Sequence, residues 1–281
     1  MVCLLDLPLE CLDEVMLRLR CTCRTFSGCD ALVLRHSRGS CWPPWSKFGR
    51  LQVLELTRSF LPDNIVPPLC PHLLHLDLSH NYMRDRLVAH MALNFPSGLR
   101  LLNLACNILT VHACTALSRH FPPGLRSLNL SENYLKDGGA VALADRFPGT
   151  LRHLHLQDNK IGKIGVQALS VGIPKLHTLD LFKNVLPCAA GGFRLAESAQ
   201  LGKLTALDAG FNYFGNEAAQ ALLDALPSAL LHLNLCGNYC TQPTRFPRAL
   251  RSLDLSFNEL SDVGALELPP LLLYLDLRDT Q

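Results

Sequence analysis

An α/β solenoid with a curved parallel sheet is the fold class this 281-residue sequence predicts, and three observations predict it. Leucine-like residues recur at the first, fourth and sixth places of a repeat whose ninth place is Asn and whose eleventh is apolar, as in LRSLNLSENYL from Leu125 to Leu135. The ladder Asn81, Asn107, Asn133, Asn159, Asn184, Asn212, Asn238 and Asn258 spaces the copies by 26, 26, 26, 25, 28, 26 and 20 residues. Behind each long copy, apolar residues at helical spacing run up to a proline.

The strand comes first. In LRSLNL the side chains alternate, so Leu128 and Leu130 face one way while Ser127, Asn129 and Ser131 face the other. One such strand buries little, and stacked copies close a shared core. The ladder Asn brings two N–H donors and a carbonyl acceptor to the point where the chain leaves the strand. Copies beginning at Leu51 and Leu272 keep the leucines but carry Ser59 and Thr280 where Asn stands elsewhere.

The second element is a helix. Six residues after the ladder Asn stand Leu87, Ala113, Gly139, Gly165 and Ala218; ten after stand Met91, Leu117, Leu143, Leu169 and Leu222. Fourteen after come Phe95, Phe121, Phe147, Ile173 and Leu226, each followed at once by a proline. A spacing of four is one helical face, and the residue before proline is driven out of the helical region, which ends the helix. Parallel strands lie about 4.8 Å apart and packed helices about 8 to 10 Å, so the array must bend with the strands inside. The copy after Asn184 is long and loses its helical stripe between Pro187 and Ala199, and the copy after Asn238 is too short for a helix, so an extended back is expected there.

This pattern of period and residues resembles the leucine-rich-repeat family, and helices behind the long copies resemble its ribonuclease-inhibitor subclass. The resemblance implies a horseshoe of about ten repeats over residues 51–281 that binds protein partners on its concave face. It also admits a GTPase regulator, since some proteins of that subclass act so.

Residues 1–50 read as a separate helical cap, with Leu9, Leu12, Val15, Met16 and Leu19 at helical spacing behind Asp6 and Pro8. Within it, LPLECLDEVMLRL resembles the first helix of an F-box through Leu7, Pro8, Glu10, Leu12, Val15 and Leu19, and Cys23, Arg24 and Phe26 resemble a later segment of that motif. Three residues separate Leu19 from Cys23, about one helix fewer than in that family, so the segment is degenerate. The resemblance implies docking of a Skp-type adaptor by Leu7, Pro8, Leu12, Val15 and Leu19, and hence a substrate receptor of a cullin ubiquitin ligase.

Composition narrows the rest. Hydrophobic content of 48% with 18% charge describes a folded chain, and a net charge of +2 from scattered basic residues predicts no nucleic-acid partner. No run approaches eighteen apolar residues and MVCLLDLPLE has no basic leader, so neither a membrane span nor a secretory signal is expected, and the setting expected is intracellular, in the cytoplasm. The twelve cysteines keep no fixed phase and are expected as reduced thiols. Neither a Gly-rich phosphate loop, HExxH, GxSxG nor paired C-x2-C occurs, so no catalytic residue, metal or cofactor is expected, and the chain is not read as an enzyme.

The candidate binding surface is the concave face, at the third, fifth and seventh places. The fifth is acidic at Glu55, Asp77, Asp180, Asp208, Asp254 and Asp276, with His155 also in that row. His75, His153 and His232 hold the third, and Phe182, Phe211 and Phe257 cluster at the seventh and eighth. Carboxylates steer basic partners, and exposed aromatics are the usual anchors of an interface.

Overall fold

A computed structural model describes residues 3–4, 31–35, 50–59, 61, 69–186, 199–261 and 267–280. Among these, twelve strands form one sheet in sequence order, every neighbouring pair parallel. They are β1 (Cys3–Leu4), β2 (Ala31–Arg35), β3 (Val53–Thr57), β4 (His75–Asp77), β5 (Leu101–Asn103) and β6 (Ser127–Asn129), followed by β7 (His153–His155), β8 (Thr178–Asp180), β9 (Ala206–Asp208), β10 (His232–Asn234), β11 (Ser252–Asp254) and β12 (Tyr274–Asp276). The fourth-place leucines stand opposite one another, Leu102 with Leu128 and Leu128 with Leu154, so the sequence phase is the sheet register.

The sheet starts earlier than Leu51. β2 pairs with β3 through Ala31 with Val53 and Leu32 with Leu54, and β1 pairs with β2, so residues 1–50 hold two strands of the same sheet. The ALVLR of β2 keeps the leucines of the fourth and sixth places, but by count Cys29 holds the first place and Ser37 the ninth, and that loss of signature hid it. The helix expected at Leu9 to Leu19, with the candidate adaptor residues, lies outside the described residues.

Behind the sheet run α1 (Asp85–Ala92), α2 (Val111–Arg119), α3 (Lys136–Ala144), α4 (Lys163–Gly172) and α5 (Gly215–Ala225). Their sixth- and tenth-count residues, such as Leu87 with Met91 and Ala113 with Leu117, are buried, each together with the residue that follows it. α4 and α5 run to within two residues of their prolines, whereas α1, α2 and α3 stop earlier and leave Phe95, Phe121 and Phe147 half-buried beyond the last turn. Capping crosses from one repeat to the next: the Asp85 carboxylate accepts from Thr110 N at 2.7 Å and Ala113 N at 3.2 Å, and Asp137 accepts from Gly162 N at 2.6 Å and Gly165 N at 2.9 Å. Each pair of N–H groups opens the following helix and would otherwise lack an acceptor.

All eight ladder asparagines are buried. Asn107 shows their work: its Nδ2 donates to the carbonyls of Leu78, Leu104 and Ala105, and its Oδ1 accepts from Asn81 N and Met83 N. One amide thus ties the turns of two repeats. Residues 239–250 form the extended back expected after Asn238, and α5 serves it in place of a helix. Gln220 accepts from Thr244 N at 2.9 Å and donates to Thr244 O at 3.0 Å, while Asn216 accepts from Thr241 N at 2.6 Å. Most of the back between Pro187 and Ala199 lies outside the described residues, which resume with a short 3-10 turn at Ala199–Lys203. Among the described residues no helix is long and apolar enough to cross a membrane.

Candidate functional site

The fifth place is less free than the sequence suggests. The side chains of Asp77, Asn103, Asn129, Asp180, Asp208, Asn234, Asp254 and Asp276 each accept a hydrogen bond from the backbone N–H two residues on, at 2.9 to 3.1 Å. An Asx side chain thus caps the end of these eight strands, and within them only the choice between Asp and Asn is left to other purposes; Glu55 and His155 hold the place in β3 and β7. Adjacent members also pair, Asn103 Nδ2 with Asp77 at 2.8 Å and Asn234 Nδ2 with Asp208 at 3.1 Å.

Four places in this row are carboxylates between β8 and β12: Asp180, Asp208, Asp254 and Asp276. Burial pushes the Asp208 carboxyl up to about 6. The Gly210 N–H and Asn234 amide work against that rise, and the Asp180 and Asp254 charges add to it. Asp276 is held at about 2 by the Arg278 guanidinium, 2.6 Å away. Small side chains at the third place, Thr178, Ala206 and Ser252, leave an open hollow of about 330 Å³ over Asp180, Asp208 and Asp254, with His155, His232 and Tyr274 on its walls.

Along one margin of the hollow the aromatic residues meet. The Phe182 and Phe211 rings lie 5.3 Å apart, edge to face, and the Phe211 and Phe257 rings 5.8 Å apart. Phe211 is 42% exposed and Phe257 50% exposed, while Phe182 is half-buried. Two glycines make the space: a Cβ on Gly210 would stand 3.0 Å from Phe182 Cδ2, and one on Gly237 would stand 2.9 Å from Phe211 Cδ1.

The other sequence candidates are dispersed. His75 and Asp77 are on β4, four strands from β8 in the sheet order. His153 on β7 meets Thr178 Oγ1 at 3.0 Å, and burial, then His177 and His155, lower its basicity. His155 Nδ1 stands 3.5 Å from Asp180. The structure thus gathers Asp180, Phe182, Asp208, Phe211, Asp254 and Phe257, with His155 at the border, and leaves His75 and Asp77 apart.

A second aromatic row escaped the sequence reading. The tenth place holds Tyr82, Tyr134, Tyr213 and Tyr239, all exposed, with Tyr213 and Tyr239 stacked at 6.1 Å and Lys160 lying 5.3 Å above the Tyr134 ring. Its signal was an Asn-Tyr pair in four of the eight ladder copies. Cys106, Cys114, Cys236 and Cys240 carry free thiols, each pushed up to about 12, chiefly by burial, which leaves almost no reactive thiolate near neutrality. Among the described residues no cluster of His, Cys, Asp and Glu is placed to hold a metal ion.

Comparison with known proteins agrees with this architecture. The leucine-rich-repeat family model matches residues 69–86, 124–144, 150–170 and 248–268. No curated protein matches the sequence. Among solved structures, an internalin from Listeria monocytogenes is similar with a TM-score of 0.52 and 20% identity, over 85% of this chain and 58% of that one. The plant peptide hormone receptor RGFR1, in complex with RGF2, aligns with a TM-score of 0.48 and 19% identity, over 83% of this chain and 44% of that one. The chain thus spans less than two thirds of the length of either, and the first likeness is one of fold.

Proposed function

We propose that this leucine-rich-repeat chain is a non-enzymatic scaffold that holds a protein partner on the strand-lined face of its solenoid. The observation that carries the proposal is the joined Phe182, Phe211 and Phe257 rings, with Phe211 and Phe257 exposed and Phe182 half-buried, beside the Asp180 and Asp208 carboxylates. Apolar rings left in water on a rigid surface gain when a partner covers them, and aromatic anchors supply a large share of binding energy at interfaces. The sheet behind them is fixed by its leucine core and Asn ladder, so little conformational entropy is lost on binding. The cytoplasm, expected from the sequence, is the setting in which we place this role.

Proximity labelling with the full chain tests the proposal. Partners found with the wild type should fall away when Asp180 and Asp208 are reversed to Lys or Phe211 is changed to Ser. They should persist when Ile164 and Val171, exposed on α4 behind the sheet, are changed to Ser. The opposite pattern would place binding on the helical side and end the proposal.

A further inference from the structure

The strand-lined face changes character along its length. From β8 to β11 the aromatic margin is continuous, and the hollow beside it is floored by Asp180, Asp208 and Asp254. Among the described residues no lysine or arginine lies within ion-pair distance of those three carboxylates, whereas Asp158 has Lys183 at 2.6 Å and Asp276 has Arg278 at 2.6 Å. Asp180 has His155 Nδ1 at 3.5 Å, and Asp208 and Asp254 have no cationic side chain within ion-pair distance among the described residues. The burial of Asp208 makes the lack of one costly, and a cation brought in from outside would relieve it.

The shape of the hollow narrows which cation. The carboxylates stand on β8, β9 and β11, with neighbouring strands about 4.8 Å apart and Asn234 on β10 between Asp208 and Asp254, and are not gathered around a point, so they suit a wide, planar cation better than a metal ion. A guanidinium has five donors in one plane, pairs with carboxylates through two bonds at once and stacks on aromatic rings. A neighbouring apolar side chain on the same segment would cover the open faces of Phe211 and Phe257.

We infer that the stretch from β8 to β11 docks an extended segment of a protein partner carrying an arginine beside an apolar residue, with the guanidinium over Asp208 and the apolar side chain on Phe211 and Phe257. This rests on the proposed role of the strand-lined face in protein binding, and it adds where on that face and what chemistry.

Selection of random displayed peptides on the immobilised full chain, followed by fluorescence anisotropy of the enriched peptides, tests it. Enriched peptides should carry arginine next to a large apolar residue. Replacing that arginine by citrulline, which keeps the shape and loses the charge, should weaken binding about tenfold or more. Asp208→Asn and Phe211→Ser should each do the same in protein whose circular dichroism is unchanged, Phe257→Ser should agree with Phe211→Ser, and Asp77→Asn should have no effect. Peptides without a basic residue, indifference to both Asp208→Asn and Phe211→Ser, competition by calcium ions alone, or the absence of any enriched peptide would overturn the inference. Loss on Asp77→Asn alone would overturn it and leave the strand-lined face as the binding surface. Loss only on Ile164→Ser and Val171→Ser would remove both.

Discussion

The Phe211 ring lies 5.8 Å from the Phe257 ring across an intervening repeat, and Gly237 occupies the gap between them. The eighth place is left-handed in all the copies from Leu51 to Leu272, with φ of 49° at Phe211, 61° at Gly237 and 53° at Phe257, so glycine is not needed there for the backbone. It is needed because a Cβ would stand 2.9 Å from the Phe211 ring.

Gly237→Ala should therefore act on the rings more than on the fold. Nine other copies tolerate a side chain at that φ, so the backbone cost is about 1 kcal/mol. Urea unfolding should register a loss of about 1 to 2 kcal/mol, and the near-ultraviolet circular dichroism of the phenylalanines should change with it. An unchanged spectrum would mean that the rings do not depend on that glycine.

The Asn ladder is uneven, and stability should report it. Asn107 Oδ1 accepts from two backbone N–H groups, while Asn238 Oδ1 is buried with no partner, although its Nδ2 still donates to Ala209, Leu235 and Cys236. Asn107→Ala should cost about 3 kcal/mol or more, and Asn238→Ala about 1 kcal/mol less, because only the first leaves two buried donors stranded. Equal losses by denaturant unfolding would refute the difference.

Asp208 makes stability depend on pH in a defined sense. Its carboxyl titrates at about 6 in the folded chain and near 3.9 in the unfolded one. Between those values the folded state binds more protons, so this contribution to stability falls as pH rises through about 4 to 6 and is absent at pH 7. Asp276 acts in the opposite sense and lower down: held at about 2 by Arg278, it loses its contribution as pH falls from about 4 towards 2. Asp208→Asn should flatten the slope between pH 4 and 6 and raise stability at pH 7. A slope equal to the wild type's would assign the titration to another group.

The F-box resemblance makes a separate prediction about residues 7–26. If those residues dock an adaptor, the chain should co-purify with a Skp-type protein and lose it on Leu12→Asp with Leu19→Asp. Purification without adaptor from cells that contain it would end that reading.

Which residues could serve a partner was only half legible in the sequence. Reading the fifth place as an open acidic row overlooked its obligation to the N–H two residues on, a bond that exists only once the strand end has curled. The tyrosines of the tenth place were visible as Asn-Tyr pairs, but in an ideal strand they fall on the same side as the leucines of the core. The left-handed eighth place turns the chain and brings Tyr213 and Tyr239 out to stack. β2 was missed because it lacks both marks at once, with Cys29 by count at the first place and Ser37 at the ninth.

By itself the sequence determined the phase, and with it the core, the register and, to within a few residues, the ends of the helices. Those follow from local periodicity, since a leucine at the fourth or sixth place can be buried in only one way. Tertiary structure decided which outward side chains meet. Phe182, Phe211 and Phe257 are 29 and 46 residues apart in the chain, and their contact depends on the curl of each turn and on two glycines that leave room for rings from neighbouring copies. Contacts of that kind arise between repeats, where the pattern within one repeat carries no information.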